Sequence, residues 1–268
     1  MITVLVAPED LAGAEARIEG DAYRHLFRAR RLAVGDRLRA VDGRGGARWA
    51  EVAAVGRGGA TLALGGAAPA NEAPFALTLV VAALRRERAS WLVEKATELG
   101  VAAIRFVASE HTPREFGGGT LGRLERVAAA ALEQCHRARR PEISGVHPWP
   151  EVPALLAAAG APDGRRRWIL DDAPGALTPA GGFAGPSAEG ARMRSSVASL
   201  ASAVHAPAVG SAALVVGPEG GWTDAERAEL AALGCVAITL GPRVLRVETA
   251  ALAGAALVLA LAPTPAEG

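Results

Sequence analysis

From Ala76 onward the chain repeats one arrangement, and that repetition limits what it can fold into. Ala76 to Leu84 is a continuous apolar run of strand length. Ala89 to Leu99 then carries Leu92, Ala96 and Leu99 at helical spacing and stops at Gly100, where a left-handed residue closes a helix. The same alternation continues along the chain. Val101–Ala108, Arg167–Leu170, Ala212–Gly217 and Val236–Leu240 read as strands, and Leu121–Arg137, Asp224–Leu233 and Glu248–Leu261 as helices. Strands too apolar to face water on either side, separated by helices, specify a mostly parallel sheet covered on both faces. This is an α/β domain.

The first 70 residues follow another rule. Ile2–Val6, Arg37–Val41, Trp49–Val55 and Ala60–Leu64 are short strand candidates punctuated by glycine- and aspartate-rich turns, and only Asp21–Arg31 reads as helical. The expectation is a small β-barrel or sheet domain over residues 1–70. Gly65–Pro74 serves as its linker to an α/β domain over residues 75–268. Ala173–Gly210, poor in large apolar residues, reads as an insertion rather than a domain. No tandem repeat is present.

Charge and cysteine content exclude several classes. A formal charge of +1 over 268 residues is not that of a histone-like protein, so any contact with nucleic acid must be local. Arg24–Arg48 supplies such a patch, with eight arginines against two aspartates, a net +6. His25, Arg28, Arg31 and Arg44 are its candidate RNA contacts, and Arg123, Arg126, Arg137, Arg139 and Arg140 form a second cluster. A solvated face reflecting an arginine-rich composition is the alternative, since every basic residue but Lys95 is arginine. Cys135 and Cys235 build neither a disulfide framework nor a zinc site. The N-terminus lacks a basic, then apolar, leader, and Ala250–Ala262 is too short to span a bilayer. A cytoplasmic protein without membrane or metal is expected.

The chemistry concentrates at two strand ends. Val215 and Val216 run into Gly217-Pro218-Glu219-Gly220-Gly221-Trp222, and the chain enters a helix through Thr223-x-x-Glu226, a capping box. About 24 residues later Leu240-Gly241-Pro242-Arg243-Val244-Leu245-Arg246-Val247-Glu248 repeats the pattern, a strand ending at glycine before the last helix. Strand ends at a topological switch point form the ligand crevice of an open α/β sheet, and glycine there lets a ligand approach the backbone. Each segment alone is also what an ordinary tight turn looks like. Glu248 could simply complement a helix dipole, and Arg243 and Arg246 could be solvated. Two such segments with a helix between them favour one ligand site. No G-x-G-x-x-G follows a strand and no G-K-[ST] loop occurs, which disfavours a dinucleotide-dependent oxidoreductase.

These motifs resemble the SPOUT-class ribosomal RNA small subunit methyltransferase E family, which makes N3-methyluridine in 16S ribosomal RNA. The resemblance rests on Gly217–Gly221 and on Leu240-Gly241 with Leu245-Arg246 and Glu248-Thr249-Ala250. It extends to Glu94-Lys95-Ala96-Thr97-Glu98-Leu99-Gly100-Val101, to Glu133-Gln134 with Arg137, to Pro141-Glu142-Ile143, and to His25-Leu26-Phe27-Arg28 with Gly35-Asp36 and Asp42-Gly43. It implies a PUA-like N-terminal β-barrel that holds RNA. It also implies a C-terminal domain ending in a deep trefoil knot, an exception to un-knotted topology, and pairing as a homodimer. Gly217, Pro218, Glu219, Gly220, Gly221, Leu240, Gly241 and Leu245 match the loops that bind S-adenosylmethionine, with Leu170 as a third wall. Arg246, Glu248 and Arg137 are the catalytic candidates: Arg246 to stabilise charge on a uracil carbonyl oxygen, and Glu248 as proton acceptor or arginine orienter. The expected partner is 16S rRNA in the small ribosomal subunit. A SPOUT enzyme acting on tRNA and a non-catalytic ribosome-assembly protein are the other readings. Three positions depart from the family. Cys135-His136 stands for Ser-Gly, Val247 for Thr and Trp222 for Phe. Adjacent helix residues do not face each other, so Cys135-His136 is no nucleophile pair. His111, His136, His147 and His205 read as structural or surface residues.

Overall fold

The apolar strands of the second half assemble as their composition requires. In the computed structural model, which describes residues 1–73, 75–112, 116–159, 167–171, 210–240 and 243–260, the chain divides into two units. One comprises Met1–Glu72 and Arg126–Arg140, the other Ala73–Glu125 and Pro141–Gly268. The second unit is built on six strands: β6 (Ala76–Ala82), β7 (Ala103–Ala108), β8 (Glu142–Pro148), β9 (Arg167–Leu170), β10 (Ser211–Val216) and β11 (Val236–Ile238). Every pairing among them is parallel, in the order β11-β9-β10-β6-β7-β8. The chain moves outward through β7 and β8, then returns to the other side of β6. Sheet order reverses there, the condition for a crevice at the strand ends.

Helices cover both faces. Val80, Ala213, Val215 and Ile169 point to one side and bury against Leu156 of α5 (Val152–Ala159) and Leu230 of α6 (Asp224–Ala232). The opposite face takes α7 (Val247–Ala260), where the approach is close. A Cβ on Gly254 would come within 2.8 Å of Leu214 Cδ2 and 3.1 Å of Leu170 Cδ1. Beside α7 lies α3 (Arg86–Leu99), closed at Gly100 with φ 100°. Among the described residues no helix is long and apolar enough to cross a membrane, and no cluster of His, Cys, Asp or Glu is placed to hold a metal ion.

The first unit is a five-stranded sheet in the order β1-β3-β4-β5-β2, comprising β1 (Thr3–Leu5), β2 (Glu15–Glu19), β3 (Arg37–Val41), β4 (Ala47–Val55) and β5 (Gly59–Ala67). Only β1 and β3 pair in parallel. The sheet curls without closing. Val4 of one edge strand and Ala16 and Ile18 of the other bury in one core with Leu38, Val52 and Leu62, yet β1 and β2 share no ladder. The unit is thus a half-barrel, between the barrel and the sheet that were both expected. Helix α1 (Pro8–Ala12) lies between β1 and β2 in the chain, and Asp21–Arg31, expected as one helix, is a short α2 (Gly20–Tyr23) that widens into a π-turn over Arg24–Ala29. The expected linker is shorter at its start, since β5 runs to Ala67. The insertion at 173–210 falls almost wholly outside the described residues.

Two arginines of the basic patch are structural. Arg39 is fully buried; its Nη1 donates to the His136 carbonyl at 2.7 Å and its Nη2 to that of Pro69. Burial holds its pKa below the usual arginine value, with Glu72 acting in the opposite sense. Arg48 donates to four backbone carbonyls, those of Leu11, Gly13, Leu64 and Gly65. Arg39 is out of reach of phosphate, and backbone carbonyls already occupy four of the five Arg48 donors.

The carboxylate of Glu133, near the end of α4 (Thr120–Cys135), accepts the Leu5 N–H at 2.8 Å. Burial raises its pKa above 4.5, more than the Leu5 bond and the charges of His25 and Arg30 lower it. The unfolded chain therefore releases this proton first, and the site loses stability as pH rises from about 4.5 through the folded value. Glu133→Gln, which keeps an oxygen for Leu5, is expected to raise Tm at pH 7 but not at pH 4. Equal Tm changes at the two pH values would contradict this assignment.

Candidate functional site

Register places three strand ends side by side. Leu170 of β9 pairs with Val216 of β10 on one side and with Ile238 of β11 on the other. The residues that follow, Asp171, Gly217 and Thr239, leave the sheet abreast and line a cleft of about 620 Å³, open solvent at its mouth included. Its other walls come from the Pro218–Trp222 loop and from the segment entering α7, Arg243 to Val247.

The first loop is a tight turn closed by the Gly221 N–H donating to the Pro218 carbonyl at 2.9 Å, with Gly221 at φ 73°. Trp222 folds back over the turn. Its Nε1 donates to the Leu170 carbonyl at 3.2 Å, and its ring lies 5.6 Å from that of Trp149. The indole leaves room at Gly217 only for glycine, because a Cβ there would sit 2.6 Å from Trp222 Cε2. Below the turn, Thr223 caps α6 through a complete capping box. The second oxygen of Glu226 in that box accepts the Glu110 N–H at 3.1 Å, tying the loop after β7 to the site.

Both acidic residues lining the cleft are engaged by arginine. Asp171, with its side chain nearly buried, accepts Arg227 Nε at 2.8 Å, and this pairing holds the Arg227 pKa above its ordinary value. Glu219 pairs with Arg88 of α3. The cleft thus offers bare backbone at Gly217, an aromatic wall at Trp222, and apolar surface from Leu170, Leu240 and Leu245. Such a pocket suits a nucleoside-sized ligand held by main-chain groups and apolar contact.

Leu170, Gly217, Pro218, Glu219, Gly221, Leu240 and Leu245 all line this cleft. Gly220 does not line it; its Cα faces the His111 ring, where an added Cβ would meet Cγ at 3.3 Å. Gly241 lies outside the described residues. Of the catalytic candidates, Arg246 is exposed; its carbonyl accepts the Ala250 N–H at 2.8 Å, and its guanidinium forms no hydrogen bond or ion pair among the described residues. Glu248 is buried behind Val247, with Oε1 3.8 Å from Arg88 Nε and Oε2 unpartnered among the described residues. Arg137 belongs to the first unit, where its Nε and Nη2 donate to Glu72 Oε2 at 3.1 and 2.7 Å. It does not line the cleft. His25, Arg28, Arg31 and Arg44 are exposed on the first unit.

Sequence reasoning missed Asp171, Thr239 and Arg88. The first two directly follow strand ends, so extending the strand-end rule by one residue would have found them. Nothing local singles out Arg88.

Known proteins resemble this arrangement over nearly its whole length. A family described as RNA methyltransferase domain matches residues 71–174 and 186–259, and one described as RNA methyltransferase PUA domain matches residues 18–64. The fold and cleft thus define an RNA methyltransferase with a PUA domain. A ribosomal RNA small subunit methyltransferase E from Mycobacterium bovis is 33% identical over 247 residues, 89% of this chain and 84% of its own. That from Synechocystis is 28% identical over 267 residues, 96% of this chain and 77% of its own. The crystal structure of the Neisseria gonorrhoeae protein of that name, bound to S-adenosyl methionine, superposes with a TM-score of 0.77 at 25% identity, covering 98% of each chain. The chain belongs to the ribosomal RNA small subunit methyltransferase E family.

Gly217→Ala is expected to displace the Trp222 indole and cost about 1–3 kcal/mol. At this chain length each kcal/mol lowers Tm by about 2–4 °C. Melting curves and tryptophan near-ultraviolet dichroism check it; an unchanged Tm and spectrum would contradict the packing.

Proposed function

We propose that this chain transfers a methyl group from S-adenosylmethionine to N3 of a uridine in 16S rRNA of the small ribosomal subunit. One observation carries the reading: the strand ends at Gly217 and at Leu240 face a single cleft. Family membership and the S-adenosyl methionine in the Neisseria gonorrhoeae relative support the cofactor.

The residues present fit that cofactor. The bare backbone at Gly217 and the loop at Leu240 can grip adenine without a charged side chain, while Leu170 and Leu245 wall the ring. Gly220 and Gly241 follow these positions in the sequence and are matched to the cofactor loops by the resemblance. When bound, S-adenosylmethionine supplies an electrophilic methyl group on a sulfonium. Because both cleft carboxylates are already paired with arginine, the protein acts chiefly by positioning in a site that excludes water. Arg246, exposed and unpaired among the described residues, stabilises the charge that develops on a uracil carbonyl oxygen as N3–H ionises. Glu248 acts as an arginine orienter through Arg88, and Arg137 remains a catalytic candidate from the first unit.

Residues 1–70 hold RNA, with His25, Arg28, Arg31 and Arg44 on phosphates. Recognition by shape and backbone suits a surface so poor in exposed aromatics. The domain over residues 75–268 carries the deep trefoil knot of the SPOUT fold and pairs as a cytoplasmic homodimer.

Incubating the protein with radiolabelled methyl donor and small subunits lacking the modification, and in parallel with total tRNA, then mapping the labelled nucleoside, is expected to give N3-methyluridine in 16S rRNA. Label in tRNA alone would move the substrate to tRNA, and no label anywhere would leave the non-catalytic reading. Arg28 and Arg31 both changed to Glu should weaken 16S rRNA binding at least tenfold and flatten its salt dependence, with cofactor affinity unchanged. Unaltered RNA affinity would reduce the patch to solvated surface.

A further inference from the structure

Arg88 has no part in the reading above beyond its contact with Glu248, yet its position is unusual. β6 and β10 run parallel with Val81 opposite Val216, so the chain leaves both strands at the same edge of the sheet. After β6 it turns into α3, and the third residue of that helix is Arg88. After β10 it forms the turn carrying Glu219. One guanidinium therefore meets two carboxylates from distant parts of the chain. Arg88 Nη1 donates to Glu219 on the first cleft loop, and Nε faces Glu248 Oε1 at 3.8 Å at the start of α7.

The two contacts differ in kind. Glu219 is 58% exposed, and an exposed ion pair of this type contributes little to stability. Glu248 has a side chain only 8% exposed, and Arg88 is the one cation paired with it among the described residues. That carboxylate is fixed in the head of α7, whose Val247 and Ala250 line the cleft. A charge anchored on the buried side by Glu248 thus reaches the Glu219 loop on the other side. Arginine can serve both partners because its nitrogens point in different directions. Lysine offers one point charge.

We propose that Arg88 is a positioning residue that latches the Pro218–Trp222 loop to the head of the last helix and so sets the shape of the cofactor cleft. The proposal rests on the cofactor reading above for its effect on binding, but the latch itself exists in the protein alone.

Hydrogen exchange on the protein without ligand tests the latch directly. Arg88→Lys, which keeps a cation beside Glu248, is expected to speed exchange at the Gly220–Trp222 amides at least fivefold while α6 and the middle of α3 stay unchanged. Arg88→Ala should do the same with a lower Tm, and adding Glu248→Gln should recover Tm without slowing the loop. Titration with S-adenosylhomocysteine should then show a fivefold or greater rise in Kd for Arg88→Lys, and the methylation assay a matching rise in cofactor KM with kcat within twofold. Glu219→Gln should reproduce the loop effect, and combining it with Arg88→Lys should add nothing further. Loop exchange unchanged in both Arg88 variants, or full additivity in the double variant, overturns the latch. A wild-type protein that fails to bind S-adenosylhomocysteine overturns the cofactor reading instead, and the exchange result still decides the latch.

Discussion

The parallel register that sets Leu170 level with Val216 and Ile238 is the constraint on which the site depends. Hydrogen bonding fixes that register, and burial on both faces of the sheet enforces it, since a one-residue slip would exchange the two sets of side chains. Three backbone segments must then leave the sheet at the same level. Their directions after that point are set by short-range devices: the Trp222 bond to the Leu170 carbonyl, the Pro218–Gly221 turn and the Thr223–Glu226 capping box. The cleft follows from sheet geometry before any side chain in it has a chemical role.

Arginine does several jobs that charge counting merges. Arg39 and Arg48 spend their donors on backbone carbonyls inside the first unit, and Arg24 pairs with Asp21. Arg28, Arg31 and Arg44 remain exposed. A net charge of +6 over Arg24–Arg48 thus overstates the electrostatic footprint that phosphate would meet. In the second unit Arg88 and Arg227 neutralise carboxylates of the cleft and its rim, while Arg243 lines the cleft itself. Lys95, the lone lysine, pairs with Glu94 and Glu98 on the same helix, which raises its pKa, and it takes no part in the cleft. Rarity in the composition was no guide to position.

Much of the second unit was legible in the sequence because its strands are apolar on both faces and its helices end at glycine. Arg167–Leu170 matches its observed strand, and β6 and α7 fall within a few residues of their expected bounds. What escaped were the helices Pro8–Ala12 and α5 and the strands β2 and β8. In β2, Glu-Ala-Arg-Ile-Glu buries only Ala16 and Ile18, a pattern too short and too charged to stand out. In β8, an edge strand interrupted by Gly145 and ending at Pro148, burial is partial along its length and the register slips once against β7. Seven of the nine residues matched to cofactor loops line the cleft, because strand ends are local features. Arg88 escaped because its role depends on two carboxylates more than 100 residues away, a relation no local pattern records.

The departure at Cys135-His136 shows how a loop can keep its course when the residue that favours it is absent. His136 follows the end of α4 with φ 62°, a conformation that glycine adopts freely and that costs other residues about 1–2 kcal/mol. The glycine that the resemblance implies here would reach it without help. Here the ring Nδ1 lies 2.8 Å from Thr3 Oγ1, while the His136 carbonyl accepts Arg39 Nη1 at 2.7 Å and Asn71 Nδ2 at 3.0 Å. Burial also holds the imidazole pKa below its usual value, which favours the neutral ring. These contacts compensate for the strain, and the chain turns so that the next residue, Arg137, meets Glu72. The same carboxylate accepts the Ala138 and Arg139 N–H groups at 3.0 and 2.8 Å. Side-chain and carbonyl contacts, rather than the freedom of a glycine, therefore hold this turn, and Glu72 fixes the placement of Arg137 that follows it.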